Sequence, residues 1–288
     1  MGCVQPNAGF KLVKLATGAC SVRSLSYQET FHPVIGPVAE AEALYVRQLG
    51  LVERLWNTKG EFVIWDVGLG AAANVLSVLH ASGQIPCSLL VLSFDQTLDP
   101  LEFALGHASA LGYFGGYEPQ LQKFLREHRV QFQAGDQRVT WELHLGDFPT
   151  LLKQPAARHF PKPHAIMFDA FSPARNAEMW TQPLFANLFR LLDPARPCAL
   201  PTYSRSTMLR ATLLLAGFFV GIGHASGEKE ETTIAANTMD LLTEPLDRRW
   251  LARARRSTSA EPLWEPVYRQ ARLSPETWER LQEHPQFA

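Results

Sequence analysis

Glu61-Phe-Val-Ile-Trp-Asp66-Val-Gly68-Leu-Gly70-Ala-Ala72-Ala-Asn74 decides the fold. Phe62 to Trp65 is a short apolar run with the character of a buried strand. It ends in an acid, followed by two glycines one residue apart. Ala71 to His80 then has helical composition and spacing. Strand, glycine turn and helix open a nucleotide-binding βαβ unit, in which the backbone approaches a ligand at the free amides of a helix N-terminus. A lone Gly-x-Gly is equally compatible with an ordinary tight βα turn, so the rest of the chain must decide.

The 288 residues suit one large α/β domain, or one with an appendage. Apolar residues make up 46%, enough for a sizeable core, and the formal charge is −1. A nucleic-acid surface would therefore have to be local. The four cysteines, Cys3, Cys20, Cys87 and Cys198, form no metal-binding spacing, so reduced thiols and no metal site are expected. There is no apolar run of membrane-spanning length and no signal pattern. Met1-Gly2-Cys3 is followed by Pro6 where an acylation motif has Ser or Thr. A cytoplasmic location, with no membrane partner, is the expectation.

Outward from the glycine stretch, the pattern alternates. On the N-terminal side, Val38 to Leu49 reads as a helix, Ser21 to Thr30 as short strands, and Phe31 to Pro37 as a loop. On the other side, strands are expected at 89–94, 139–144, 164–168, 198–203, 218–223 and 231–236. Helices are expected at 71–80, 100–111, about 120–129, 148–153, 178–192 and 206–216. Residues 130–133 and 139–144 flank the turn Ala134-Gly-Asp-Gln137 as a hairpin. Alternation of this kind implies a mostly parallel sheet covered on both faces. The last two strands follow one another without a helix, so they pair antiparallel. The expected division is an N-terminal extension over 1–55 that packs on the active site, a core over 56–243 and a helical appendage over 244–288. The appendage carries Arg248, Arg249, Arg253, Arg255 and Arg256. These form either a solvated helix face or an anion-binding patch.

In an open α/β sheet, ligands lie at the carboxyl ends of the strands. Asp95, Asp147 and Asp169 each end a predicted strand there. A carboxylate at Asp95 suits ribose hydroxyls, and one at Asp147 suits an adenine amino group covered by Phe148. Each could instead cap a helix. Together, behind a glycine loop, they point to an adenosine-containing ligand. The first acid also serves NAD, but no residues for hydride chemistry stand out. The acid after the third strand is more typical of S-adenosyl-L-methionine sites.

Phe168-Asp169-Ala-Phe171-Ser-Pro173-Ala-Arg175-Asn176-Ala-Glu178-Met179-Trp180 resembles a motif of the MnmC-type tRNA methyltransferase domains. Phe31-His32-Pro33-Val-Ile-Gly36-Pro-Val-Ala-Glu40 is similar to a second segment of that family, and the hairpin before Asp147 to a third. The resemblance covers Ser26 to about Ala236. It implies a Rossmann-like class I S-adenosyl-L-methionine-dependent methyltransferase fold, with a seven-stranded sheet whose last strand is antiparallel. Members methylate the 5-aminomethyl group of a modified wobble uridine in tRNA. Some carry a fused FAD domain that makes this amine. This chain is expected to lack one, so a separate FAD-dependent enzyme or another partner would supply the substrate. The implied cofactor set is Glu40, Asp66, Gly68, Gly70, Asn74, Asp95, Gln96, Asp147, Phe148 and Asp169. Asp169 and Phe171 are the implied catalytic pair, and Phe31, His32 and Arg175 the implied substrate contacts.

The chain departs from the family where Ala71 and Ala72 stand in the glycine loop. It departs again at Gly223 to Glu231, where the family is basic and this chain has three glutamates and one lysine. A methyltransferase acting on a small-molecule amine, and a binding protein that keeps only the fold, are the alternatives.

Overall fold

The structure is a computed structural model that describes residues 9–227 and 230–288. The terminal Met1-Gly2-Cys3, with Glu228 and Lys229 of the acidic segment, lies outside the described residues. The chain forms two compact units. The first is 1–147 with 226–228, and the second is 148–225 with 229–288.

The first unit begins with an antiparallel pair, β1 (Phe10–Lys14) and β2 (Cys20–Ser24). The expected strand region reached Thr30, and of it only the bridge Arg23–Thr30 extends past Ser24. Helix α1 (Pro37–Ala41) runs into a π-helical turn at Glu42–Arg47, then α2 (Leu51–Asn57) follows. Next come β3 (Glu61–Val67), α3 (Ala73–Ser82), β4 (Ser88–Asp95), α4 (Asp99–Gly106) and α5 (Ala108–Leu111). The helix expected over 100–111 is thus two, divided at His107. The unit ends with α6 (Glu118–Glu127), β5 (Arg129–Ala134) and β6 (Gln137–Leu145). Helix α6 stops before the expected Arg129 because His128 adopts a left-handed φ of 55° and closes it.

The main-sheet strands of this unit are ordered β5-β6-β4-β3. β3 is parallel to β4, with Trp65 opposite Leu92, and β4 is parallel to β6, with Val91 opposite Trp141. All four side chains are buried, as both faces of a parallel sheet require. β5 pairs antiparallel with β6 through the turn Gly135-Asp136. A Cβ on Gly135 would lie 2.3 Å from the Gly83 carbonyl oxygen, so only glycine fits that turn. Trp65 packs edge-on against Phe94 at 5.5 Å, and Trp141 packs against Phe124 at 4.6 Å.

The second unit contains α7 (Phe148–Lys153), β7 (Ala165–Phe168), α8 (Gln182–Leu191), β8 (Ala199–Thr202) and α9 (Thr207–Leu215). It continues with β9 (Phe219–Gly223), β10 (Thr232–Ala236), α10 (Arg248–Arg256) and α11 (Pro275–Gln282). Its strands are ordered β7-β8-β10-β9. β7 is parallel to β8, and β10 is antiparallel to both β8 and β9. The last strand is therefore the reversed one, as expected. Among the described residues, the main-sheet strands number eight rather than seven, because β5 adds an edge strand. The helix expected over 178–192 is a 3-10 turn at Ala177–Trp180 followed by α8. Thr181 interrupts them in extended geometry, caps α8 by accepting from the Leu184 amide, and is followed by Pro183 in the first turn.

The C-terminal residues are hydrogen-bonded into this unit. Gln286 accepts from the Val220 amide and donates to the Val220 and Leu246 carbonyls. The Gln182 amide donates to the Leu263 carbonyl. Among the described residues, no helix is long and apolar enough to cross a membrane.

Candidate active site

In the first unit, the loop after β3 is held open by backbone geometry. Gly70 has φ 51°, and a Cβ there would stand 3.2 Å from the Phe31 ring. Phe31, an expected substrate contact, therefore lies over the glycine loop. Its own backbone is anchored to β2: the Phe31 amide donates to Val22, and the Ser21 hydroxyl donates to the Phe31 carbonyl. Ala72, at the N-terminus of α3, has φ 61°, a region that glycine enters at lower cost.

Asp95 ends β4 and grips the loop. Its Oδ2 accepts from the Gly70 amide at 2.9 Å, and its Oδ1 from the Gln96 amide at 2.7 Å and the Thr97 amide at 3.4 Å. Burial pushes its carboxyl above the ordinary carboxylate range, while these amides pull the other way. Each carboxylate oxygen has two lone pairs, so acceptor capacity remains beyond the amides. The Gln96 side chain donates to Asp147 Oδ1 at 3.1 Å, bringing two of the expected cofactor positions together.

His32, at a left-handed φ of 47°, places Nδ1 3.8 Å from Glu40 Oε2, with both side chains almost buried. Asn74 is buried in the first turn of α3. Asp66 is buried inside β3, and its Oδ2 accepts from the Ser93 hydroxyl at 2.6 Å. Ser93 in turn accepts from Trp141 Nε1 at 2.8 Å. At least one Asp66 oxygen thus faces the strand interior.

In the second unit, β7 leads into the loop Asp169 to Pro173. Two aromatic donors fix its backbone. Tyr203 donates its hydroxyl to the Ala170 carbonyl at 3.0 Å, and Trp180 donates Nε1 to the Phe171 carbonyl at 2.7 Å. The two rings meet edge to face at 5.9 Å. Ser172 closes the loop by accepting from the Arg175 and Asn176 amides. Asp169 and Phe171 are half-buried, Arg175 is exposed, and Phe148 is buried at the start of α7.

Residue patterns missed several of these supports. Tyr113 is buried and donates to the Ala71 carbonyl at 3.0 Å, bracing the glycine loop from 42 positions away. Burial raises its phenol well above the usual range. Trp180 is fully buried and also holds the Phe171 backbone. Nothing local in sequence links either donor to its acceptor.

The residues present fit an adenosine-containing cofactor: glycines at 68 and 70 in the loop after β3, and a strand-end carboxylate with acceptor capacity to spare. The fold is that of a Rossmann-like class I methyltransferase, the class that uses S-adenosyl-L-methionine. Residues 117–238 match a family described as S-adenosyl-L-methionine-dependent methyltransferase. The chain is 31% identical over 254 residues to the tRNA 5-methylaminomethyl-2-thiouridine biosynthesis bifunctional protein MnmC of Ralstonia nicotianae, covering 84% of this chain and 35% of that protein. The MnmC of Cupriavidus metallidurans is 32% identical over 220 residues, covering 73% and 31% respectively. The chain thus spans about a third of the length of these curated relatives. In fold it is similar to the crystal structure of MnmC2 from Aquifex aeolicus, with a TM-score of 0.69 at 23% identity, over 96% of this chain and 83% of that one. Over residues 117–238 the chain matches the S-adenosyl-L-methionine-dependent methyltransferase family, and in sequence it is similar to the MnmC proteins.

Proposed function

We propose that the chain transfers a methyl group from S-adenosyl-L-methionine to the 5-aminomethyl amine of a modified wobble uridine in tRNA. The observation that carries this reading is the loop Asp169 to Pro173, pinned by Trp180 and Tyr203 within the segment that resembles the family motif. The relatives' name, biosynthesis of tRNA 5-methylaminomethyl-2-thiouridine, supports the acceptor. Residues 1–55, 56–243 and 244–288 would serve as extension, catalytic core and appendage. A cytoplasmic enzyme would receive its amine from a separate FAD-dependent partner.

The cofactor, when bound, offers an electrophilic methyl on a positively charged sulfur. Gly68, Gly70, Asp95, Gln96, Asp147 and Phe148 would hold it, with Glu40, Asp66 and Asn74 supporting them. Methyl transfer then depends mainly on positioning and charge. Asp169 would accept an N–H of the neutral acceptor amine, aim its lone pair and stabilise the positive charge that develops on nitrogen. Phe171 would pack the acceptor ring, and Phe31, His32 and Arg175 would contact the substrate.

The acidic segment that favoured a small amine carries less weight in the folded chain. Glu231 pairs with the buried Arg210 at 3.1 Å, so its charge is already engaged. The test is Asp169→Ala. Its fold and S-adenosyl-L-methionine affinity should persist, while methyl transfer to tRNA falls by roughly 10²–10⁴. A helix cap lost at this position would instead cost about 1 kcal/mol and leave transfer intact. Near wild-type transfer, read by mass spectrometry of tRNA nucleosides, would remove Asp169 from the chemistry.

A further inference from the structure

Helix α10 is amphipathic. Trp250, Leu251 and Ala254 are buried, while Arg248, Arg249, Arg253, Arg255 and Arg256 are exposed. Arg249, Arg253 and Arg256 are spaced i, i+4, i+7 on one face. They line a groove of about 590 Å³ together with Ile222 and Trp250.

An ordinary solvated helix face interleaves acids with bases. Helix α10 contains no acid. Asp247, just before it, spends its carboxylate on the Trp250 amide. Among the described residues, Arg248, Arg249, Arg253 and Arg256 form no ion pair, Glu244 in the same groove included. Arg255 instead stacks over Trp278 at 4.8 Å. The helix dipole favours cations in the last turn but opposes Arg248 and Arg249 in the first. Arg249 and Arg253 also repel each other as like charges at i, i+4. The helix carries this charge against its own electrostatics, in a chain of net charge −1.

The basic surface continues beyond the helix. Exposed Arg205, between β8 and α9, and Arg253 both lie close enough to Arg210 to disfavour its charge. Arg210 itself is satisfied by Glu231, Thr233 and the Thr232 carbonyl. Arg205 and the helix face therefore remain as guanidinium forks, the geometry that grips phosphate oxygens in pairs.

We propose that the groove along α10, with Arg249, Arg253, Arg256 and Arg205, docks the phosphate backbone of the tRNA substrate. The proposal rests on the tRNA reading above and names the surface that would take the place of the family's basic segment. The experiment uses the full chain and unmodified transcribed tRNA, titrated between 50 and 200 mM salt. Wild type should bind with a steep salt dependence. The Arg249→Ala/Arg253→Ala/Arg256→Ala variant should flatten the log–log slope by about two to three and weaken binding roughly tenfold or more, with S-adenosyl-L-methionine affinity unchanged. An unchanged slope and affinity would overturn the proposal. If the triple variant does not fold, phenylglyoxal labelling of wild type replaces it. Bound tRNA should protect these arginines, and equal labelling with and without tRNA would overturn the proposal. Preference for vesicles of phosphatidylglycerol over tRNA would also overturn it. A chain that binds tRNA through these arginines yet methylates none of it would refute the methylation reading and leave the surface standing.

Discussion

Asp95 should act as both brace and ligand contact, and one pair of substitutions tests this. Asp95→Ala removes the acceptor of two short amide bonds, 2.9 Å to Gly70 and 2.7 Å to Gln96, and one long bond to Thr97. A hydrogen bond to a charged group is worth about 1.5–3 kcal/mol, so the gross loss from the two short bonds is about 3–6 kcal/mol. Burial already disfavours the charge, and its removal returns part of that cost. A net loss of about 1–3 kcal/mol in urea denaturation is expected. Asp95→Asn keeps the shape but turns an amide N–H toward one of the backbone donors, so it should lose a similar amount. The carboxyl's folded pKa lies above its ordinary 3.8, so its favourable contribution exists below that value and is lost as pH rises through the folded one. Both variants should therefore show a flatter stability profile above pH 3.8. Contact with the cofactor adds a separate loss of about 1.5–3 kcal/mol in binding, or roughly 10–150-fold in Kd. Isothermal titration with S-adenosyl-L-methionine on the folded variants measures it. Wild-type Kd in both variants, alongside reduced stability, would show that Asp95 only braces the loop.

Tyr203→Phe removes one hydroxyl and leaves the Ala170 carbonyl without that donor. It should cost about 1–2 kcal/mol and lower methyl transfer without changing cofactor Kd; unchanged transfer would show that the loop needs no such pin. His284 caps the last turn by accepting from the Gln286 amide at its Nδ1, and burial holds its pKa below 6.5. The unfolded chain then binds the extra proton more readily, so stability is full above pH 6.5 and falls as pH drops through the folded pKa. His284→Asn keeps an acceptor there and should flatten that part of the Tm–pH curve; an unaltered curve would assign the acid loss elsewhere.

Sequence periodicity revealed the alternating strands and helices because buried strands carry apolar runs that few loops imitate. It placed Asp95, Asp147 and Asp169 at strand ends for the same reason: an acid directly after such a run marks where the strand leaves the core. It missed the eighth strand's role, because Arg129 to Ala134 is an edge with several exposed side chains and reads as one arm of a hairpin. It also carried helices through His107, His128 and Thr181, where backbone geometry rather than composition ends them.

The supports of the site were illegible for a different reason. Tyr113 to Ala71, Tyr203 to Ala170 and Trp180 to Phe171 are bonds from side chains to backbone carbonyls. A carbonyl is present at every residue, so the acceptor leaves no mark in sequence. The donors are aromatic residues that read as core, and each is part of a hydrophobic cluster. The strand-end acids Asp95, Asp147 and Asp169 therefore stand out in sequence, while the groups that fix the neighbouring loops are hidden among the packing residues. The same logic makes α10 visible from the opposite direction. Its arginines stand out because the partners that a surface helix ordinarily supplies are missing from its own sequence. A charge that the fold does not neutralise is the feature of this chain that calls for a ligand outside it.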